Sequence, residues 1–242
     1  MLTSFDAIPR TDRVIIALDC EADKAISIAY QLAGRAKWVK IGMTLFYAYG
    51  TDLVKMLKAR GYNVFLDLKF HDIPHQVLGA ARSAAETGAD MLTMQTVGGV
   101  PMMEAAQAGA VEGAQLIGGD VPVTLGITVL TSMDQATLAQ TGVVRPMEEQ
   151  VLSLAHLTQE AGISGVVASP QEASQLRAIL GQEAYIVTPG VRPVWAETGD
   201  QSRIATPAQA FDNGASHIVV GRPITDAPDP IQAFEQIAEE LA

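Results

Sequence analysis

Short apolar runs alternate along the chain with longer stretches of helical period. RVIIALD (13–19) reads as a buried strand ending on a carboxylate, and 22–34 carries helical spacing. WVKIG (38–42) predicts a strand and 44–60 a helix. YNVFLDLK (62–69) predicts the next strand, followed by a helix over 74–87 that opens on Pro74, a residue suited to a first helical turn. MLTMQ (91–95) is a strand before a helix at about 100–112, and VPVTLGITVL (121–130) a strand before helical segments over roughly 133–161. SGVVAS (164–169) precedes a helix at about 170–180, AYIVTPG (184–190) a helix at 206–213, and HIVVG (217–221) the last helix, about 230–241.

The pattern contains eight β-then-α units. Strands that are apolar on both faces imply a parallel sheet covered by helices. Eight such units fit a single-domain (β/α)8 TIM barrel, a fold that typically takes about 250 residues. An open, doubly wound sheet is the alternative. No linker or low-complexity segment divides the sequence, so 1–242 is expected to form one barrel domain. One connection stands out. GVRPVWAETGDQSRIA (190–205) is long and polar for a βα loop, which suits either an active-site lid or an ordered surface loop.

Composition narrows the function class. Of 242 residues, 48% are hydrophobic and 18% charged, which excludes a disordered chain. Sixteen Lys and Arg against 27 Asp and Glu give a net charge of −11. That balance argues against a broad nucleic-acid or anionic-membrane surface and favours an enzyme of small molecules. Cys20 is the single cysteine, so no internal disulfide can form and a reducing compartment is expected. The first residues hold no apolar core of a secretory signal, and no apolar run approaches the ~18 residues that span a bilayer. A soluble cytoplasmic protein is the expectation.

In a barrel the reactive groups stand at the C-terminal ends of the strands. Here those ends carry Asp19, Lys40, then Asp67 and Lys69, then Thr131 and Ser132, then Pro189, Gly190 and Arg192, and last Gly221 and Arg222. Asp67 and Lys69 are two apart on one strand and so share a face, while Leu66, Leu68 and Phe70 take the other. Val39 and Ile41 face the helices, which turns Lys40 inward beside Asp67 and Lys69. Asp72 follows in the loop before Pro74. Lysines and carboxylates that alternate in this way hold one another ionised. A lysine kept protonated and in place is what a general acid needs to deliver a proton to a carbanion. A neighbouring carboxylate would also repel a substrate carboxylate until it leaves as CO2. A lone Asp-x-Lys pair is more often a structural ion pair, and it is the convergence of Lys40, Asp19 and Asp72 that points to chemistry.

Gly221-Arg222-Pro223 forms a second constellation. A glycine lets backbone N–H groups approach a phosphate, Arg222 can hold its oxygens bidentately, and the loops after strands seven and eight are the usual phosphate site of such barrels. His71, Asp72 and His75 are poorly arranged for a metal, because Pro74 opens the helix between the two histidines. His156 and His217 are isolated and read as structural, the methionines at 91, 94, 102 and 103 as core filler, and Cys20 as a small buried residue.

Together, ALD ending at Asp19, Lys40-Ile41-Gly42, DLKFHDIP (67–74), LTS (130–132), TPGVR (188–192) and VGRPIT (220–225) resemble the orotidine 5′-phosphate decarboxylase family, bacterial type. The resemblance spans almost the whole chain, and DLKFHDIP is its most specific block. It implies a homodimeric (β/α)8 barrel that converts orotidine 5′-phosphate to UMP and CO2 in pyrimidine synthesis without a metal or organic cofactor. It further implies that Lys69 protonates C6 of the pyrimidine and that Asp67 lies beside the departing carboxylate. Lys40 would hold Asp67 and a ribose hydroxyl, and Asp19 another ribose hydroxyl. Asp72 would reach across the dimer into the partner's site. Thr131 and Ser132 would meet the pyrimidine and ribose, and Ile73 and Pro189 would supply apolar wall. Gln201, Arg222 and the Gly221 amide would bind phosphate, with Arg192 in the closing loop. One departure is visible: Gln95 stands where many relatives carry a histidine.

Two rivals remain at this point. Keto-sugar-phosphate decarboxylases or aldolases of the same suprafamily hold Mg2+ partly through an acidic residue at the end of the second strand, where this chain has Lys40. A non-catalytic phosphate-ligand barrel would be marked by decay of the Lys/Asp array, and the array is complete.

Overall fold

A computed structural model of the chain describes residues 5–196 and 205–241. Eight parallel strands close into a barrel in sequence order, with β8 pairing back onto β1. The strands are β1 (Val14–Ala17), β2 (Trp38–Gly42), β3 (Asn63–Phe70), β4 (Met91–Gln95), β5 (Val123–Ile127), β6 (Gly165–Val167), β7 (Tyr185–Thr188) and β8 (His217–Val220). The β8–β1 ladder, Val14 opposite Ile218 through Ile16 opposite Val220, excludes the open-sheet alternative.

The helices are α1 (Ala22–Gln31), α2 (Met43–Tyr49), α3 (Thr51–Ala59), α4 (Pro74–Ala85), α5 (Val100–Ile117), α6 (Gln135–Gln140), α7 (Met147–Glu160), α8 (Ala173–Leu180), α9 (Pro207–Asp212), α10 (Arg222–Thr225) and α11 (Pro230–Glu240). The single helix expected over 44–60 is two, because Gly50 between them takes a φ of 64° that an α-helix cannot continue. The strand expected over 121–130 ends at Ile127, and the following residues bend away into the barrel mouth. Three elements lack a periodic signal: the 3-10 turns at Phe5–Ala7 and Arg10–Arg13, and the one-turn helix α10. Such segments are too short for a repeat to register. Among the described residues no helix is long and apolar enough to cross a membrane.

Alternation along each strand divides the core. Ile15, Phe65, Met91, Leu125, Val187 and Val219 fill the barrel interior, while Ile16, Val39, Ile41, Leu66 and Ile218 face the helices. α4 and α5 approach unusually closely. A Cβ at Gly109 would lie 2.1 Å from the Leu78 carbonyl oxygen, and one at Gly113 2.3 Å from that of Arg82. This packing fixes α4, whose first turn carries the segment leading out of β3.

The N-terminal end of the barrel is shut by aromatic rings. Trp38, Tyr185 and His217 are each the first residue of their strand; Tyr185 and His217 meet Phe5 of the first 3-10 turn edge-on, His217 stacks on Tyr185 at 5.7 Å, and Trp38 meets His217 edge-on at 5.4 Å. Burial, reinforced by the nearby Arg13 charge, pushes the His217 pKa down to about 3. The unfolded chain therefore binds a proton between pH ~6.5 and ~3 that the folded chain refuses, and stability falls as pH drops through that window by as much as a few kcal/mol. Thermal unfolding followed at pH 7 and pH 4.5 checks this. A His217→Phe variant, which removes the titrating ring, is expected to lose less Tm between the two pH values than the parent. An equal loss in both would show that other groups carry the acid sensitivity.

Candidate active site

With one end closed by rings, the other end opens on a cavity of about 450 Å3. Its walls are the C-terminal ends of the strands, and its polar lining holds most of the residues singled out above. Asp19, Lys40, Asp67 and Lys69 stand on one side, and Thr131 and Ser132 come from the β5 loop. Pro189, Gly190 and Arg192 follow β7, and Gly221 and Arg222 follow β8.

The charged side is built by strand register. Ala17 lies opposite Lys40, and Gly42 opposite Asp67, so the β1, β2 and β3 ends converge. The Lys40 ammonium donates to both oxygens of Asp19, at 2.9 and 3.0 Å, and sits 3.5 Å from Asp67 Oδ2. Lys69 Nζ lies 2.8 Å from the same Oδ2. Lys40 and Asp67 are almost fully buried, whereas Asp19 and Lys69 reach towards the opening. Burial disfavours the charged form of Asp67. The positive charges of Lys40 and Lys69, and the hydrogen bonds from Lys69 and Thr93, outweigh it and hold the carboxyl below the usual carboxylate range. Gly42 makes room for this packing: a Cβ there would stand 2.8 Å from Asp19 Oδ1 and 3.3 Å from Lys40 Nζ.

β3 is not a regular strand at this point. Leu66 pairs with Leu92 and Phe70 with Met94, so three β3 residues bulge opposite the single residue Thr93. Lys69 in this bulge has φ of 54°, and among the described residues it alone combines a side chain larger than glycine with positive φ. Simple alternation correctly puts Asp67 and Lys69 on one face but does not reveal the bulge. Thr93, the residue opposite it, was also missed. The available signal was a threonine flanked on both sides by apolar residues in the strand MLTMQ.

The β7 and β8 ends of the cavity suit an anion. Gly190 and Arg192 begin the long connection after β7, and its two ends are tied together: the Arg192 N–H donates to the Ala205 carbonyl at 2.9 Å, and the Ala205 N–H to Gly190 at 3.3 Å. Arg192 is largely buried and donates to the Val191 carbonyl. Arg222 opens α10, directly after Gly221 at the end of β8.

Two of the described candidates are not in the lining. Gln201 lies outside the described residues. Asp72 and Ile73 are exposed, with the Asp72 carboxylate accepting the Ile73 N–H at 2.7 Å, so a single chain does not bring either into its own cavity. Gln95 likewise does not line it. Among the described residues no group of three or more His, Cys, Asp or Glu is placed to hold a metal ion.

A closed (β/α)8 barrel whose mouth carries a Lys/Asp cluster at the β1–β3 ends and arginines after β7 and β8 is an enzyme scaffold with a site for a small anionic ligand. Known proteins narrow this class. Residues 12–237 match the orotidine 5′-phosphate decarboxylase / HUMPS family, and the chain belongs to that family. It is 46% identical to the orotidine 5′-phosphate decarboxylase of Moorella thermoacetica, over 95% of this chain and 92% of the relative. It is 47% identical to that of Nitrosococcus oceani, over 95% and 97%. Among solved structures, the orotidine 5′-phosphate decarboxylase of Lactobacillus acidophilus superimposes with a TM-score of 0.85 at 40% identity, covering 95% of this chain and 99% of the other.

Proposed function

We propose that this chain decarboxylates orotidine 5′-phosphate to UMP and CO2 in pyrimidine synthesis, as a homodimer and with no metal or organic cofactor. The observation that carries this reading is the Asp19–Lys40–Asp67–Lys69 chain of contacts inside a cavity that Arg192 and Arg222 also line. The bond between C6 and the substrate carboxylate breaks, its electron pair stays on C6, and CO2 departs. The Lys69 ammonium then gives a proton to C6, and the neutral amine recovers one from solvent. Asp67 stays ionised beside the scissile carboxylate. Lys40 and Asp19 hold the ribose hydroxyls, and Thr131 and Ser132 meet the pyrimidine. The Gly221 amide, Arg222, Gln201 and Arg192 take the phosphate, with Pro189 as apolar wall.

The partner subunit is part of this reading. Met43, Tyr47, Ile73 and Val97 are all exposed, on the segments that follow β2, β3 and β4 at the open end of the barrel. Apolar side chains grouped on adjacent connections suit a face shared with a second copy. Asp72 stands next to Ile73 in that face, and a two-fold partner would carry it towards the other cavity. Lys40 also separates this site from Mg2+-dependent relatives, since its ammonium occupies the region between Asp19 and Asp67 where a cation would have to sit. One domain comprising the chain, and a cytoplasmic setting suited to its single cysteine and acidic balance, complete the proposal.

A spectrophotometric assay on orotidine 5′-phosphate, with and without EDTA, tests it. Turnover is expected at the same rate in both. Activity abolished by EDTA would return the choice to the metal-dependent rival, and UMP binding without turnover would favour a binding protein.

A further inference from the structure

We propose that Thr93 is a positioning residue for the reaction, a hydroxyl clamp that sets the Lys69 ammonium against Asp67. This inference rests on the decarboxylase reading of the site.

Thr93 is completely buried in the middle of β4, facing the barrel interior two residues after Met91. Its hydroxyl makes two bonds at once. The Oγ1–H donates to Asp67 Oδ1 at 2.9 Å, and Oγ1 accepts the Lys69 backbone N–H at 2.9 Å. These partners are the two ends of the Asp67–Leu68–Lys69 bulge. In a regular parallel ladder the Lys69 N–H would find a carbonyl of the neighbouring strand. The bulge breaks that register, and a buried N–H without a partner is costly. The threonine hydroxyl takes the place of the missing carbonyl.

The geometry has a consequence for the side chains. With Oδ1 held by Thr93, the Asp67 carboxylate presents Oδ2 to both lysines, Lys69 at 2.8 Å and Lys40 at 3.5 Å. With its N–H held, Lys69 is kept at φ 54°, a conformation a lysine does not adopt unless its surroundings fix it. Thr93 therefore fixes both the direction of the carboxylate and the point from which the lysine departs. It does not line the cavity. Its effect passes through Asp67 and Lys69.

The test compares the parent with Thr93→Val, which keeps the shape and removes both bonds, and Thr93→Ser, which keeps them. Thr93→Val is expected to lower kcat by about 10²-fold, the scale of a small misplacement of a catalytic group. KM should stay within a few-fold, because the proposed ribose and phosphate contacts lie elsewhere. Thr93→Ser should recover most of the kcat. In the ligand-free parent the Lys69 amide should exchange slowly with solvent deuterium, as it should in Thr93→Ser, and much faster in Thr93→Val. A Thr93→Val enzyme with kcat within two-fold of the parent overturns the assignment. So does a Thr93→Ser variant as impaired as Thr93→Val, or a parental Lys69 amide that exchanges as freely as an exposed one. A parent inert on orotidine 5′-phosphate would instead overturn the functional reading, and amide exchange alone would then decide whether the clamp exists.

Discussion

A Lys69→Ala variant is expected to lose at least about 10⁴-fold in kcat while binding UMP within a few-fold of the parent. Two contributions combine. A positioned general acid contributes about 10² to 10⁴, and a fixed charge facing the electron pair that develops on C6 adds about 10² to 10³. Product affinity is spared because Lys69 stands on the charged side of the cavity, away from Arg192, Gly221 and Arg222. The fold should survive as well. Asp67 keeps its Thr93 hydrogen bond and its Lys40 neighbour, so the buried carboxylate is not left without partners. A Lys69→Arg variant separates charge from proton delivery, since a guanidinium keeps the positive charge and does not release a proton in a protein. It should remain nearly inactive too. Steady-state decarboxylation beside UMP titration reads both quantities. A Lys69→Ala enzyme that retains most of its activity would sink the assignment of Lys69 as proton donor.

The alternation of apolar runs with helical stretches made the barrel legible, because a strand covered on both sides must be apolar on both. The same alternation placed Asp67 and Lys69 on one face and turned Lys40 towards them. It failed where structure departs from periodicity. The bulge in β3 leaves no mark in sequence, since its residues keep the apolar–polar alternation of a regular strand while the neighbour skips ahead. Thr93 was hidden for the same reason, its role set by a register that only the folded ladder shows. Gly42 stood inside a recognised block, yet the crowding that requires a glycine comes from Asp19, 23 residues earlier in the chain. Gly50 and the terminal 3-10 turns are local backbone events without a repeat. Asp72 is a different case. Its segment was conspicuous in the sequence, but a single chain leaves it facing solvent.

That exposure leads to the second large effect. Asp72→Ala alone is expected to cost about 10²-fold or more in kcat, as loss of a charge that orients the proton donor would. Yet within one chain Asp72 does not line the cavity, and its carboxylate is turned back onto the Ile73 N–H. The proposal that Asp72 serves a neighbouring copy reconciles the two. Pro74 stiffens the segment at the start of α4, and α4 is itself held by close backbone contact with α5 at Gly109 and Gly113, so Asp72 is presented from a rigid base. Mixing Asp72→Ala protein with Lys69→Ala protein distinguishes the possibilities. In a mixed dimer, the chain carrying Asp72→Ala still has Lys69 and receives an intact Asp72 from its partner, while the other site lacks both. Random exchange at equal amounts makes half the dimers mixed, each with one complete site of two, so activity should return to about a quarter of the parent's. Two inactive proteins that stay inactive after confirmed subunit exchange would refute a shared site. Asp72 would then have to act within its own chain, which requires the loop before α4 to fold back over the cavity.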